Sequence, residues 1–88
     1  DLTQQVTLYP NPMQTSSTLF LADLRGKTVD VAVYTMDGKL VENVYNGIVT
    51  DNEFKITLTN SMFSASGIYF VRVKENGSVT QKKLTVIK

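Results

Sequence analysis

Val29-Asp30-Val31-Ala32-Val33-Tyr34-Thr35 decides the fold class. Val29, Val31 and Val33 point one way, and Asp30, Ala32 and Tyr34 point the other. This is the two-residue period of a strand, and three β-branched residues on one face suit a pleated, half-buried surface. Outward from it the pattern recurs. In Glu53–Thr59, Phe54, Ile56 and Leu58 alternate with Lys55 and Thr57. In Ile68–Glu75, Tyr69, Val71 and Val73 alternate with Phe70, Arg72 and Lys74. One apolar and one wet face per strand is the signature of antiparallel sheets.

Turn signals cut the chain between these runs. Pro10-Asn11-Pro12 stops the first run, because proline lacks an N–H and restricts the residue before it. Arg25-Gly26, Asp37-Gly38, Asn46-Gly47, Ser66-Gly67 and Asn76-Gly77 follow. Asp-Gly and Asn-Gly supply the positive φ angles of tight hairpins. The spacing predicts strands near 3–9, 17–24, 28–35, 39–45, 53–59, 67–75 and 78–87. Ser61–Ser66 reads as a helical turn or a loop. No stretch keeps a helical period for three turns, and there is no repeat, low-complexity tract or linker. The expected fold is all-β, an immunoglobulin-like antiparallel sandwich of about seven strands. Its expected core is Leu19, Leu21, Val29, Val31, Val33, Leu40, Phe54, Ile56, Leu58, Tyr69, Val71, Val73, Leu84 and Val86.

The chain has 88 residues, enough for one domain. Its net charge of +1 gives no general attraction to nucleic acid or membrane. The distribution is uneven. From Arg72 onward stand Arg72, Lys74, Lys82, Lys83 and Lys88 against Glu75 alone. This reads either as a solvated strand face or as a basic docking strip. No apolar run approaches the roughly 18 residues of a membrane-spanning helix. Asp1 onward does not resemble a signal peptide, so the chain is expected to be either intracellular or a piece cut from a longer precursor, and the absence of an initial Met favours the piece.

Chemistry has few places to hide. The sequence contains no His and no Cys, so there is no thiolate metal site and no ordinary base for a Ser or Thr nucleophile. The acids Asp23, Asp30, Asp37, Glu42, Asp51 and Glu53 are scattered among turns and exposed positions. Asp51-Asn52-Glu53 offers oxygen ligands for a hard cation but reads better as a polar hairpin loop, without the spacing of a calcium loop. Asn76-Gly77-Ser78 matches a glycosylation acceptor in form and a hairpin turn in context. The tyrosines do not cluster with basic residues as a base-stacking platform requires, so nucleic-acid binding is not supported. The expectation is a protein without catalytic residues, metal or cofactor.

Three ordered motifs carry a resemblance. They are Leu8-Tyr9-Pro10-Asn11-Pro12 with Ser16-Ser17-Thr18-Leu19; Val31-Ala32-Val33-Tyr34-Thr35-Met36-Asp37-Gly38-Lys39-Leu40-Val41; and Ser66-Gly67-Ile68-Tyr69-Phe70-Val71-Arg72-Val73 with Lys82–Lys88. From about Val6 to Lys88 the chain resembles the C-terminal sorting domain of the type IX (Por) secretion system of Bacteroidetes. Three places depart from the family pattern. Thr35 stands where Asp is frequent, Lys39 where Arg is common, and Ser64 where Leu is usual.

The resemblance implies that residues 1–88 are one C-terminal sorting domain, excised from a longer secreted protein. It implies a non-catalytic signal recognised by the outer-membrane type IX translocon. A sortase-like surface protease then often removes the domain, and the cargo is released or attached to lipopolysaccharide. The route runs through the periplasm to the cell surface or beyond. Motif carry-over selects Pro10, Asn11, Pro12, Gly38, Lys39, Gly67, Tyr69, Lys82, Lys83 and Lys88 as recognition residues. Residue by residue, Pro10-Asn11-Pro12 also reads as a rigid turn, Gly67 as a backbone requirement and Tyr69 as a core ring with a tied hydroxyl. The last strand is the expected contact, through an exposed edge or its lysines. The alternatives are an accessory carbohydrate- or surface-binding module, with Tyr34 and Phe70 as its outward aromatics, or a retained sorting-like domain of the secretion machinery.

Overall fold

Asp1 opens the first element. In the computed structural model, which describes residues 1–88, its carboxylate accepts the Thr3 and Gln4 N–H groups and caps a single helical turn, α1 (Leu2–Gln5). Seven strands follow: β1 (Val6–Tyr9), β2 (Ser16–Ala22), β3 (Thr28–Thr35), β4 (Leu40–Ile48), β5 (Glu53–Thr59), β6 (Gly67–Glu75) and β7 (Ser78–Val86). A short 3₁₀ turn, Asn60–Met62, sits between β5 and β6. The expected first strand from residue 3 is therefore shortened by the capped turn, while β4 runs on to Ile48.

The strands form two antiparallel sheets, one ordered β1-β2-β5 and the other β4-β3-β6-β7. This is a sandwich of immunoglobulin type in which the fourth strand stays with the third. The reason is local. The Thr35–Lys39 turn is too short to reach the other sheet, so β3 and β4 must pair as neighbours. The crossing comes after β4, through Val49–Asn52. There the Val49 N–H donates to the Lys27 carbonyl and the Gly26 N–H to the Val49 carbonyl, both at 2.8 Å. The Asp51 loop is thus a sheet-to-sheet crossover and not the expected hairpin loop. The Asp51 carboxylate accepts the Glu53 N–H at 3.0 Å and closes this turn.

The inward faces meet in one core. Leu19, Leu21, Val31, Val33, Leu58, Val71, Val73 and Leu84 have no exposed surface, and Val29, Ile56, Tyr69 and Val86 are buried with them. Each such side chain contributes roughly 1.5–3 kcal/mol. Two expected core members differ. Leu40 is 54% exposed, because it sits at the start of an edge strand whose register shifts twice against β3. Phe54 is half-buried and packs on Tyr45 with ring centroids 5.0 Å apart, closing one side of the sandwich. Leu2, Val6, Met13, Leu24, Val49 and Phe63 are buried core residues in or beside irregular segments.

Candidate functional site

The Tyr-Pro-Asn-Pro segment is a strap across the outer edge of β7. The Met13 N–H donates to the Thr85 carbonyl (2.7 Å), and the Ile87 N–H donates to the Met13 carbonyl (2.9 Å). Met13 is thereby paired in parallel opposite Val86. Two residues earlier the Asn11 carboxamide does the same job without backbone. Its Nδ2 donates to the Lys83 carbonyl (2.7 Å), and its Oδ1 accepts the Thr85 N–H (3.0 Å). A side-chain amide thus substitutes for a peptide group opposite Leu84.

The strap is anchored at both ends. Buried Ser17 donates to the Pro10 carbonyl at 2.9 Å. The Asn60 N–H donates to the Thr15 carbonyl at 3.0 Å, and its Nδ2 donates to that of Gln14. Met13 is fully buried beneath the strap. Both the Tyr9-Pro10 and Asn11-Pro12 bonds are cis. Pro10 and Pro12 have no N–H, so the strap covers an edge while offering few donors for another strand.

The other motif residues sit in three places. At the β3–β4 turn the Thr35 hydroxyl donates to the Asp37 carboxylate and accepts the Lys39 N–H at 3.0 Å. Thr35 also exchanges backbone bonds with Lys39 (2.8 Å) and Gly38 (3.0 Å). The Thr35 hydroxyl bond, first, and backbone N–H contact hold the exposed Asp37 carboxyl below its ordinary 3.8, with a smaller contribution from Lys39. The Lys39 ammonium stands 4.0 Å from Asp37 and is largely exposed. Gly38 has φ +90°, a conformation that side-chain-bearing residues rarely adopt.

At the entry to β6, Gly67 has φ +154° and open space where a Cβ would stand, so its requirement is conformational. Tyr69 is 8% exposed, and its hydroxyl donates to the Ala65 carbonyl at 2.7 Å. This is a tyrosine corner at the start of the sixth strand. Its ring packs on Phe63 with centroids 4.6 Å apart. Lys88 closes the same corner. Its Nζ donates to the Phe63 carbonyl (2.6 Å) and its N–H to Ser66 Oγ (2.8 Å). Lys88 is therefore engaged, unlike Lys82 and Lys83.

Lys82 and Lys83 rise from the middle of β7 and point to opposite faces of its sheet. With Asn11 they border a shallow groove whose other wall is Thr3, Gln4, Val6, Thr7 and Leu8. On the outer face of the larger sheet, the Arg72 guanidinium lies 4.3 Å from the Tyr34 ring centroid and donates to its hydroxyl. One face of Tyr34 is thereby covered, and Phe70 is half-buried.

The motif residues stand in the sequence, but the strap that three of them build does not show there. Nothing in residue spacing said that the carboxamide of Asn11 reaches Lys83 and Thr85, more than seventy positions away.

The fold and this surface define a small all-β domain, an antiparallel sandwich whose last strand is partly covered by the strap. Residues 7–88 match the secretion system C-terminal sorting domain, and the chain belongs to that family. It is a type IX secretion C-terminal sorting signal, in a family that is not catalytic and that implies export to the cell surface or outside. A comparison with curated proteins finds no match. No helix is long and apolar enough to cross a membrane.

Proposed function

We propose that residues 1–88 form the C-terminal label of a longer secreted protein. The outer-membrane type IX translocon recognises the folded sandwich after the precursor reaches the periplasm. A sortase-like surface protease then removes it from its cargo. The observation that carries this reading is the family match over residues 7–88. A label used with unrelated cargo has to fold without help, and a closed core with anchored corners supports that.

Within this reading the motif residues divide by what they touch. Pro10, Asn11, Pro12, Gly38, Gly67, Tyr69 and Lys88 hold the strap, the turn and the corner in place. Lys39, Lys82 and Lys83 present their charge to the partner. A carbohydrate-binding reading draws little support from an aromatic pair of which one ring is covered by Arg72.

The experiment is a fusion of residues 1–88 to a reporter carrying an export signal, in a host with the type IX apparatus. The reporter is expected at the cell surface or in the medium. Retention of a folded fusion in the periplasm rejects the proposal. Mass spectrometry of the exported reporter checks removal, which is expected to leave it without the domain.

A further inference from the structure

Strand β7 pairs with β6 through its even-numbered residues, so the N–H and C=O groups of Val79, Gln81, Lys83, Thr85 and Ile87 face outward. The strap occupies the later part of this row. Met13 stands opposite Val86 and the Asn11 amide opposite Leu84. Continuing the same pattern towards the start of the strand leaves two pairing positions vacant. Opposite Thr80 lie the Val79 carbonyl and the Gln81 N–H. Opposite Lys82 lie the Gln81 carbonyl and the Lys83 N–H. No side-chain, loop or cap hydrogen bond of the molecule uses these four groups.

We propose that these two positions are a docking site for an extended, carboxylate-bearing segment of another protein, added to the sheet as an outer strand. The inference rests on the sorting reading and names the part of the surface that the partner takes. Three features support it. The stretch is straight and held from behind: the β6–β7 register runs unbroken from Gly67 to Glu75, and Thr80 Oγ1 is hydrogen-bonded to Thr3 Oγ1 at 3.1 Å. The β4 edge, in contrast, is shifted twice in register.

Charge supplies the second feature. The site is flanked by Lys82 and Lys83, with Lys74 and Arg72 on the neighbouring strand, and β7 carries no acid. A partner residue opposite Lys82 turns its side chain to the groove, and the next residue turns to the Lys83 face. Carboxylates at both suit the site, whereas a second copy of this chain would bring four lysines together.

Space is the third. The groove beside Lys82 and Lys83 is open to solvent, with half-buried Leu8 among its lining residues.

The test pairs binding with export. The isotope-labelled chain is titrated with a short capped peptide alternating glutamate and valine, and with its lysine–valine counterpart. The acidic peptide is expected to shift the Val79, Gln81 and Lys83 amides, and Lys83→Glu to weaken binding about tenfold. The lysine peptide is expected to do nothing. Gln81→Pro removes only an outward N–H, a place where an edge strand tolerates proline, and is expected to abolish both binding and export while the Val71 and Leu84 amides keep their protection. Unshifted edge amides, or a folded Gln81→Pro fusion exported like the wild type, overturn this inference and leave the sorting reading standing. Self-association through the same amides also overturns it. A wild-type fusion that stays behind overturns the sorting reading and this use of the edge with it.

Discussion

Replacing Asn11 with alanine isolates the strap, because the side chain is exposed and contributes almost nothing to the core. What is lost is a pair of hydrogen bonds, one given to the Lys83 carbonyl and one accepted from the Thr85 N–H. Each is worth about 0.5–1.5 kcal/mol net. The freed backbone groups lie at a sheet edge where water replaces the amide, so no desolvation penalty is added. The expected loss is therefore about 1–3 kcal/mol, and about 1 kcal/mol moves the midpoint of a domain this size by roughly 4–8 °C. Thermal and denaturant unfolding measure the total. Amide exchange locates it: Thr85 loses protection, while Ile87, bonded to the Met13 backbone carbonyl, keeps most of its own. The variant also widens the free edge from two pairing positions to three, so concentration-dependent association in sedimentation is expected to rise. An unchanged midpoint with Thr85 still protected would refute the role assigned to Asn11.

Met13→Ala keeps the strap backbone but empties a fully buried site, and it is expected to cost about 2–5 kcal/mol in denaturant unfolding. Tyr69→Phe keeps the ring on Phe63 and removes only the bond to the Ala65 carbonyl, an expected loss of about 1 kcal/mol by the same measurement. The Asp37 carboxyl is held below its ordinary 3.8 in the folded chain. Its contribution to stability is therefore complete above that value and is lost as pH falls from there through the lowered folded value. Asp37→Asn is expected to flatten the stability profile in that acid window, read by unfolding at a series of pH values. Lys82→Glu with Lys83→Glu is expected to reduce export of the reporter without changing the stability of the domain by more than about 1 kcal/mol, since surface charges without ion-pair partners contribute little to it.

Much of the fold was legible because strands announce themselves by period. Val29, Val31 and Val33 fix a face, and Asn76-Gly77, with φ of +47° and +88°, turns β6 into β7 where two such residues predict a tight hairpin. Tyr69 was legible as a core ring with a tied hydroxyl because an amphipathic side chain near a strand start has few other ways to be buried. Leu40 was misread because period says which face a residue takes but not whether the strand lies at an edge. Met13 and Phe63 were missed because irregular segments have no period to read.

The site divides along the same line. The sequence by itself determined that there are seven strands, most of their inward faces, most turn positions and the family, since each is written in the order of neighbouring residues. Only the tertiary structure decided that Asn11 and Met13 lie along β7, that Lys88 is engaged while Lys82 and Lys83 are not, and that two pairing positions between Val79 and Lys83 stay open. Those facts depend on contacts between positions far apart in the chain, Asn11 with Lys83 and Thr85, and Lys88 with Phe63. Such contacts form only when the two sheets pack and bring these segments together.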